Sequence, residues 1–132
     1  LLMASDFLKI NMSEFKILIQ FFNFSGSNNE VLLKKIYNKF NIKYVCLTNG
    51  QFKSYFFDGN RFYHFKPFRV NSIDNVGAGD NFLAAFIDEF FIKNNNIDNS
   101  LRIASAYGAL TTNKMGANPV IMINEVKKLL EL

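Results

Sequence analysis

Apolar and polar residues alternate along this chain in two periods. Asp6 to Ile10 (DFLKI) is a short apolar run with Lys9 inside it, which predicts a buried strand. From about Ser13 to Phe22 the pattern turns helical, with Phe15, Leu18, Ile19 and Phe22 on one face. Phe24-Ser25-Gly26-Ser27-Asn28-Asn29 predicts a turn and a new helix start, and Val31, Leu32, Lys35, Ile36 and Phe40 carry the next helix. Lys43 to Leu47 (KYVCL) is rich in strand formers and ends at Thr48-Asn49-Gly50. Phe52–Phe57 and Arg61–Phe65 flank Asp58-Gly59-Asn60, a hairpin signal, and Pro67 closes that run. Arg69 to Ile73 predicts a short extended segment.

The widest stripe follows. Phe82, Leu83, Phe86, Ile87, Phe90 and Phe91 mark one helix face behind the loop Asp74-Asn75-Val76-Gly77-Ala78-Gly79-Asp80. Lys93 to Asn99 predicts a polar connector. Ser100 to about Thr112 predicts a helix dotted with small residues (Ala104, Ser105, Ala106, Gly108, Ala109), which permit close packing against a neighbour or a flat ligand. Lys114 to Pro119 predicts a loop, and Ile123 to Leu132 a closing amphipathic helix. Strands alternating with helices in the first third, then a hairpin, predict one α/β unit without repeat or linker over residues 1–132.

Composition narrows the function. With 132 residues, 49% hydrophobic and 20% charged, the chain can bury a core and is not of the disordered class. The 16 Phe and absent Trp, beside many Asn, Lys and Ile, read as coding bias rather than a base-stacking platform. A formal net charge of +4 comes from scattered basic residues, adjacent only at Lys34-Lys35 and Lys127-Lys128. That is a weak case for nucleic acid and is compatible with a small anionic substrate. Cys46 is alone, so neither an intrachain disulfide nor a cysteine zinc cluster can form. His64, also alone, reads as a packed or surface ring in a strand. No apolar run has transmembrane length and no signal peptide is visible, so no membrane is expected and a reducing cytoplasm is the default. The chain starts at Leu1 as if already inside a domain, which predicts a fragment of a longer polypeptide.

The candidate chemistry lies in the glycine loop. Glycines let backbone N–H groups approach a ligand, and a helix N-terminus adds its dipole, so the loop reads as an anion site. Asp80 in the first turn is odd there. It serves an anion site only if it does chemistry, such as accepting the proton of an attacking hydroxyl; otherwise it is an acidic residue favouring the helix dipole. Asn11 and Glu14, three apart at a strand-to-helix junction, read either as a reciprocal helix cap or as a polar pair at the carboxyl end of a strand, where open α/β sheets bind ligands.

Taken together these motifs resemble the C-terminal half of the ribokinase-like carbohydrate kinases, the phosphofructokinase B family. The resemblance covers essentially all residues and implies part of a three-layer α/β/α fold, the C-terminal half of its large domain. Its most specific element is Asp74 to Asp80, which looks like the family's second signature. By that resemblance Gly77, Ala78 and Gly79 form the anion hole and Asp80 is the base for a sugar hydroxyl. Asn11 and Glu14 resemble the Asn-x-x-Glu pair that helps hold magnesium through ordered water, with Lys9 in the usual place ahead of them. Thr48 and Gly50 resemble the Thr-x-Gly turn that touches the nucleotide phosphates. The helix around Ser105, followed by Gly116-Ala117, is similar to the wall beside the adenine. Asp74 with the Val76 position resembles, in some members, part of a monovalent-cation (potassium) site. The implied activity is ATP-dependent phosphorylation of a sugar such as fructose or ribose, with a homodimer as an arrangement open to the full-length protein.

Departures accompany the match. Asn75 stands where Thr is usual, Lys53 replaces a common Gly, and the half carrying the first glycine signature, most sugar contacts and the lid is absent. Three other readings stay open or fall. A truncated, non-catalytic nucleotide-binding piece stays open. A dinucleotide-binding module is weak, because Phe82 occupies the third glycine position. A P-loop fails for lack of its Gly-Lys-Ser/Thr ending.

Overall fold

Parallel strands cannot be joined by a tight turn, so a chain that pairs two of them must spend residues on a crossover. Here β1 (Phe7–Asn11) pairs parallel with β2 (Tyr44–Thr48), and α1 (Met12–Phe21) and α2 (Asn29–Phe40) lie in the sequence between them. The computed structural model describes residues 6–116 and 118–131. Strand β3 (Ser54–Phe57) pairs antiparallel with β2, and β4 (Phe62–Phe65) completes a sheet of order β1-β2-β3-β4. The β3–β4 turn is built by Asp58, whose Oδ1 accepts the N–H groups of Asn60 and Arg61, both at 2.8 Å. Gly59 takes φ +90°, a left-handed angle that suits glycine.

Helix α1 opens on a reciprocal cap. Asn11 Oδ1 accepts from Glu14 N at 2.9 Å and Glu14 Oε2 accepts from Asn11 N at 2.9 Å. Helix α2 starts at Asn28, whose side chain accepts from Val31 N, and stops at Asn41 in the left-handed region, φ 52°. Phe15, Leu33, Ile36 and Phe40 from these helices meet Ile10, Ile42, Val45 and Leu47 in one buried cluster. Cys46 is buried in β2. His64 is exposed in β4, with Nε2 2.5 Å from Glu30 Oε1 and its ring edge-on to Tyr55, which agrees with the surface reading.

The chain divides into two compact units, residues 1–64 and 65–132. The second unit is helical: α3 (Ala78–Ile87), a π-helical turn (Asp88–Ile92), α4 (Ile97–Thr112) and α5 (Ile123–Leu130). Three local expectations change here. Residues 69–73 form no strand; instead Ile73 N and Asp74 N both donate to Thr112 O, at 2.6 and 3.1 Å. The apolar stripe does not run as one α-helix to Phe91, since the last turn widens into a π-turn. There Glu89 is buried, with Oε1 on Lys93 Nζ at 2.7 Å and Oε2 on Asn95 Nδ2 at 3.1 Å. The polar connector is also shorter than expected, because Asn96 caps α4 by accepting from Asn99 N at 2.8 Å and starts the helix at Ile97. Ala106, Ala109 and Leu110 of α4 pack on Val126 and Leu129 of α5. No helix among the described residues is long and apolar enough to cross a membrane.

Candidate active site

In the first unit, strand register decides which side chains meet. Parallel pairing sets Asn11 opposite Thr48, at the carboxyl ends of β1 and β2. The residues that follow each strand therefore share one open cleft of about 320 Å³, lined among others by Asn11, Ser13, Thr48, Asn49 and Gly50. Open α/β sheets bind ligands at such strand ends. The turn after β2 closes through Phe52 N on Asn49 O at 2.9 Å, and Asn49 N donates to Ser54 Oγ at 3.0 Å. Gly50 sits at φ +55° with no atom of the described residues near the place of a Cβ, so it is the backbone angle, not crowding among them, that favours glycine. Lys53, which stands in place of Gly, lies beyond this turn with its ammonium 5.2 Å from the centre of the Tyr55 ring. Glu14 is exposed beside Asn11 and does not line the cleft; one carboxylate oxygen serves the helix cap.

In the second unit the loop that begins at Asp74 is held by its own polar atoms. Asp74 Oδ1 accepts from Val76 N at 2.9 Å and Oδ2 from Gly116 N at 3.3 Å. Asn75 accepts from Ser72 Oγ at 3.0 Å, so the residue that stands in place of Thr still hydrogen-bonds. Gly77 then adopts φ +80°, a left-handed entry that breaks the extended path and starts α3. Ala78 N reaches Asn75 O at 3.4 Å, and Asn81 N reaches Gly77 O at 3.0 Å. Among the described residues no protein atom accepts from the N–H groups of Gly77, Gly79 or Asp80. These are the donors that a helix start leaves open to an anion. Asp80 is exposed, and its carboxylate has no hydrogen bond or ion pair within the described residues.

Thus Asn11, Thr48 and Gly50 gather in one unit, and Gly77, Ala78, Gly79 and Asp80 in the other. Ser105 is buried in α4 and its hydroxyl donates to Leu101 O at 2.7 Å. Ala117 lies outside the described residues. The sequence reading missed Asn81, Thr111 and Thr112: Asn81 Nδ2 donates to Thr111 Oγ1 at 2.9 Å, tying the start of α3 to the end of α4. A sequence offers little signal for such a pair, thirty positions apart.

Residues 1–123 match the pfkB family carbohydrate kinase profile. The chain belongs to that family. A ribokinase of Staphylococcus aureus (strain COL) is 32% identical over 100 residues, which is 74% of this chain and 33% of that protein. The structure of Arabidopsis thaliana ribokinase complexed with ribose and ATP matches at TM-score 0.84 and 26% identity, over 99% of this chain and 42% of that one. An Escherichia coli protein assigned as ribokinase II and solved with ATP and Mg²⁺ has TM-score 0.82 at 21% identity, over 98% of this chain and 40% of that one, and shows the common fold. The fold class is therefore ribokinase-like α/β, held here in part. The pfkB-family chain spans about a third of the length of its S. aureus relative.

Proposed function

We propose that this chain carries the phosphoryl-transfer part of an ATP-dependent sugar kinase, with Asp80 as general base and the Gly77–Gly79 amides as the anion hole. The observation that carries the reading is the pairing, within one helix start, of backbone N–H groups and a carboxylate that have no partner among the described residues. A sugar hydroxyl gives its proton to Asp80 while its oxygen forms a bond to the γ-phosphorus of ATP. The bond from that phosphorus to the bridging oxygen breaks, and ADP leaves with the electron pair. The amides stabilise charge that develops on the phosphoryl oxygens, and one such donor is worth roughly 2.7–4 kcal/mol. Thr48 and the Gly50 turn contact the nucleotide phosphates. Membership of a carbohydrate kinase family supports the acceptor class.

Magnesium fits this donor set only indirectly. No three carboxylate, imidazole or thiolate groups gather among the described residues, and Glu14 brings one carboxylate beside Asn11. Magnesium keeps several waters and joins one or two carboxylates to substrate phosphates. Asn11 and Glu14 would hold it through water, and its chemistry would be to neutralise phosphate charge. For potassium, Asp74 is the candidate: each of its oxygens accepts one N–H and retains a further lone pair.

The test is Asp80→Asn in the full-length protein. Turnover is expected to fall by about 10²- to 10⁴-fold, the usual contribution of a positioned base, with the KM for ATP near wild type. Wild-type turnover would remove Asp80 from the role. A second reading, nucleotide binding without turnover by these residues alone, draws on the partial coverage of the relatives. Titrating the isolated chain with ATP–magnesium and assaying the full-length protein over a sugar panel separates the two.

A further inference from the structure

The Gly77–Asp80 turn is also braced from outside itself, by the last turns of α4. Three features of the last turns of α4 converge on it. Thr112 O, one of the carbonyls that a helix end leaves unpaired, accepts both Ile73 N and Asp74 N, at 2.6 and 3.1 Å, and so fixes the entry to the loop. Gly108 lets the helices come together: a Cβ there would stand 3.3 Å from Ala78 O and 3.5 Å from Phe82 Cβ. Thr111, fully buried, donates its hydroxyl proton to Tyr107 O at 2.8 Å and turns a lone pair to Asn81 Nδ2 at 2.9 Å.

The direction of that relay is set. Because the Thr111 proton is committed to Tyr107 O, Asn81 must donate, and its amide has one orientation. Asn81 is also the residue whose N–H makes the bond to Gly77 O, at 3.0 Å. It is thus anchored through both its backbone and its side chain, one residue after Asp80. We infer that Thr111, acting through Asn81, is a positioning residue that sets the Asp80 carboxylate and the neighbouring amides in register for transfer, with Gly108 and Thr112 completing the support. The inference rests on the kinase reading above. Its physical basis is the sensitivity of rate to placement: an error of about 1 Å introduced far from the chemistry can lower rate about 10²-fold.

The experiment compares Thr111→Val, Thr111→Ser, Asn81→Ala and Asp80→Asn in the full-length protein. Valine keeps the shape of threonine and deletes the acceptor; serine keeps the hydroxyl. Thr111→Val and Asn81→Ala are expected to lower kcat by about tenfold to a hundredfold, within the range that misplacement allows, with the KM for ATP unchanged. Thr111→Ser should recover most of the loss. A wild-type kcat in Thr111→Val or Asn81→Ala overturns the inference, as does a Thr111→Ser defect equal to that of Thr111→Val. If Thr111→Val does not fold, Asn81→Ala decides, since it removes the donor without altering the buried face of α4. Asp80→Asn separates the two levels. Its loss of turnover beside fully active Thr111 and Asn81 variants rejects only the positioning role, its wild-type turnover removes Asp80 from the role of base, and the absence of ATP-dependent sugar phosphorylation by the unaltered full-length protein rejects the kinase reading itself.

Discussion

Asn11 and Glu14 form a helix cap and are also the proposed magnesium pair, and charge separates the two jobs. The cap needs an oxygen on each side chain; the ion needs a negative charge. Asn11→Ala deletes the acceptor of Glu14 N, a 2.9 Å bond at the start of the helix that buries Phe15. Losing such a cap costs about 0.5–2 kcal/mol. Asn11→Ser should restore most of it. Glu14→Gln keeps an oxygen for Asn11 N, so the cap survives and only the charge in the first turn is lost. That charge is worth about 0.3–1 kcal/mol with the helix dipole at low ionic strength, and salt screens it. Urea unfolding followed by circular dichroism measures both losses. The Asn11→Ala loss should persist at high salt, and the Glu14→Gln loss should shrink toward zero. Glu14→Gln should also raise the magnesium concentration that gives half-maximal turnover in the full-length protein. An Asn11→Ala variant as stable as wild type would refute the cap argument. Unaltered magnesium dependence in Glu14→Gln would leave the pair a cap and nothing else.

Two further predictions concern the first unit. Gly59→Ala should destabilise by at least about 1–2 kcal/mol, because Gly59 holds φ +90° and a Cβ would stand 2.3 Å from Tyr37 Oη. The Tyr37 ring can turn aside but the backbone angle cannot, so a neutral result in urea unfolding would show that the turn rearranges freely. Burial pushes the Cys46 thiol from its ordinary 9.0 up to about 12, with Lys9 pulling weakly the other way. The native thiol should resist iodoacetamide at mildly alkaline pH and react once urea exposes it. The sign of the linkage follows: between 9.0 and about 12 the unfolded chain loses this proton before the folded one, so stability falls as pH rises through that window. Rapid labelling of the native protein would refute the buried placement.

Much of this architecture can be read along the chain, because strands, helices and caps arise between near neighbours. Phe15, Leu18 and Ile19 mark α1, Asp58-Gly59 marks the hairpin, and Asn11 with Glu14 announces a helix start; the structure has all of them in place. The glycine loop is equally local, and its order of residues carries the family resemblance that the match over residues 1–123 bears out. Residues 69–73 escaped this reading because the N–H groups where the segment ends, those of Ile73 and of Asp74 after it, find Thr112 O, far along the chain, instead of a strand. The π-turn escaped because a single stripe of phenylalanines suits a helix of either pitch, and the backbone bond from Lys93 N to Asp88 O, five residues back, discloses the widening.

The candidate site divides in the same way. Composition and spacing alone established the residue types: an acid after two glycines, a Thr-x-Gly turn, an Asn three positions before a Glu. Tertiary structure decided which of them are open to a ligand. It brought Asn11 beside Thr48 through parallel register, left the amides of Gly79 and Asp80 without acceptors among the described residues, and turned the Ser105 hydroxyl back into its own helix. The reason is that availability depends on every group within hydrogen-bond reach, and most of those groups come from distant parts of the chain.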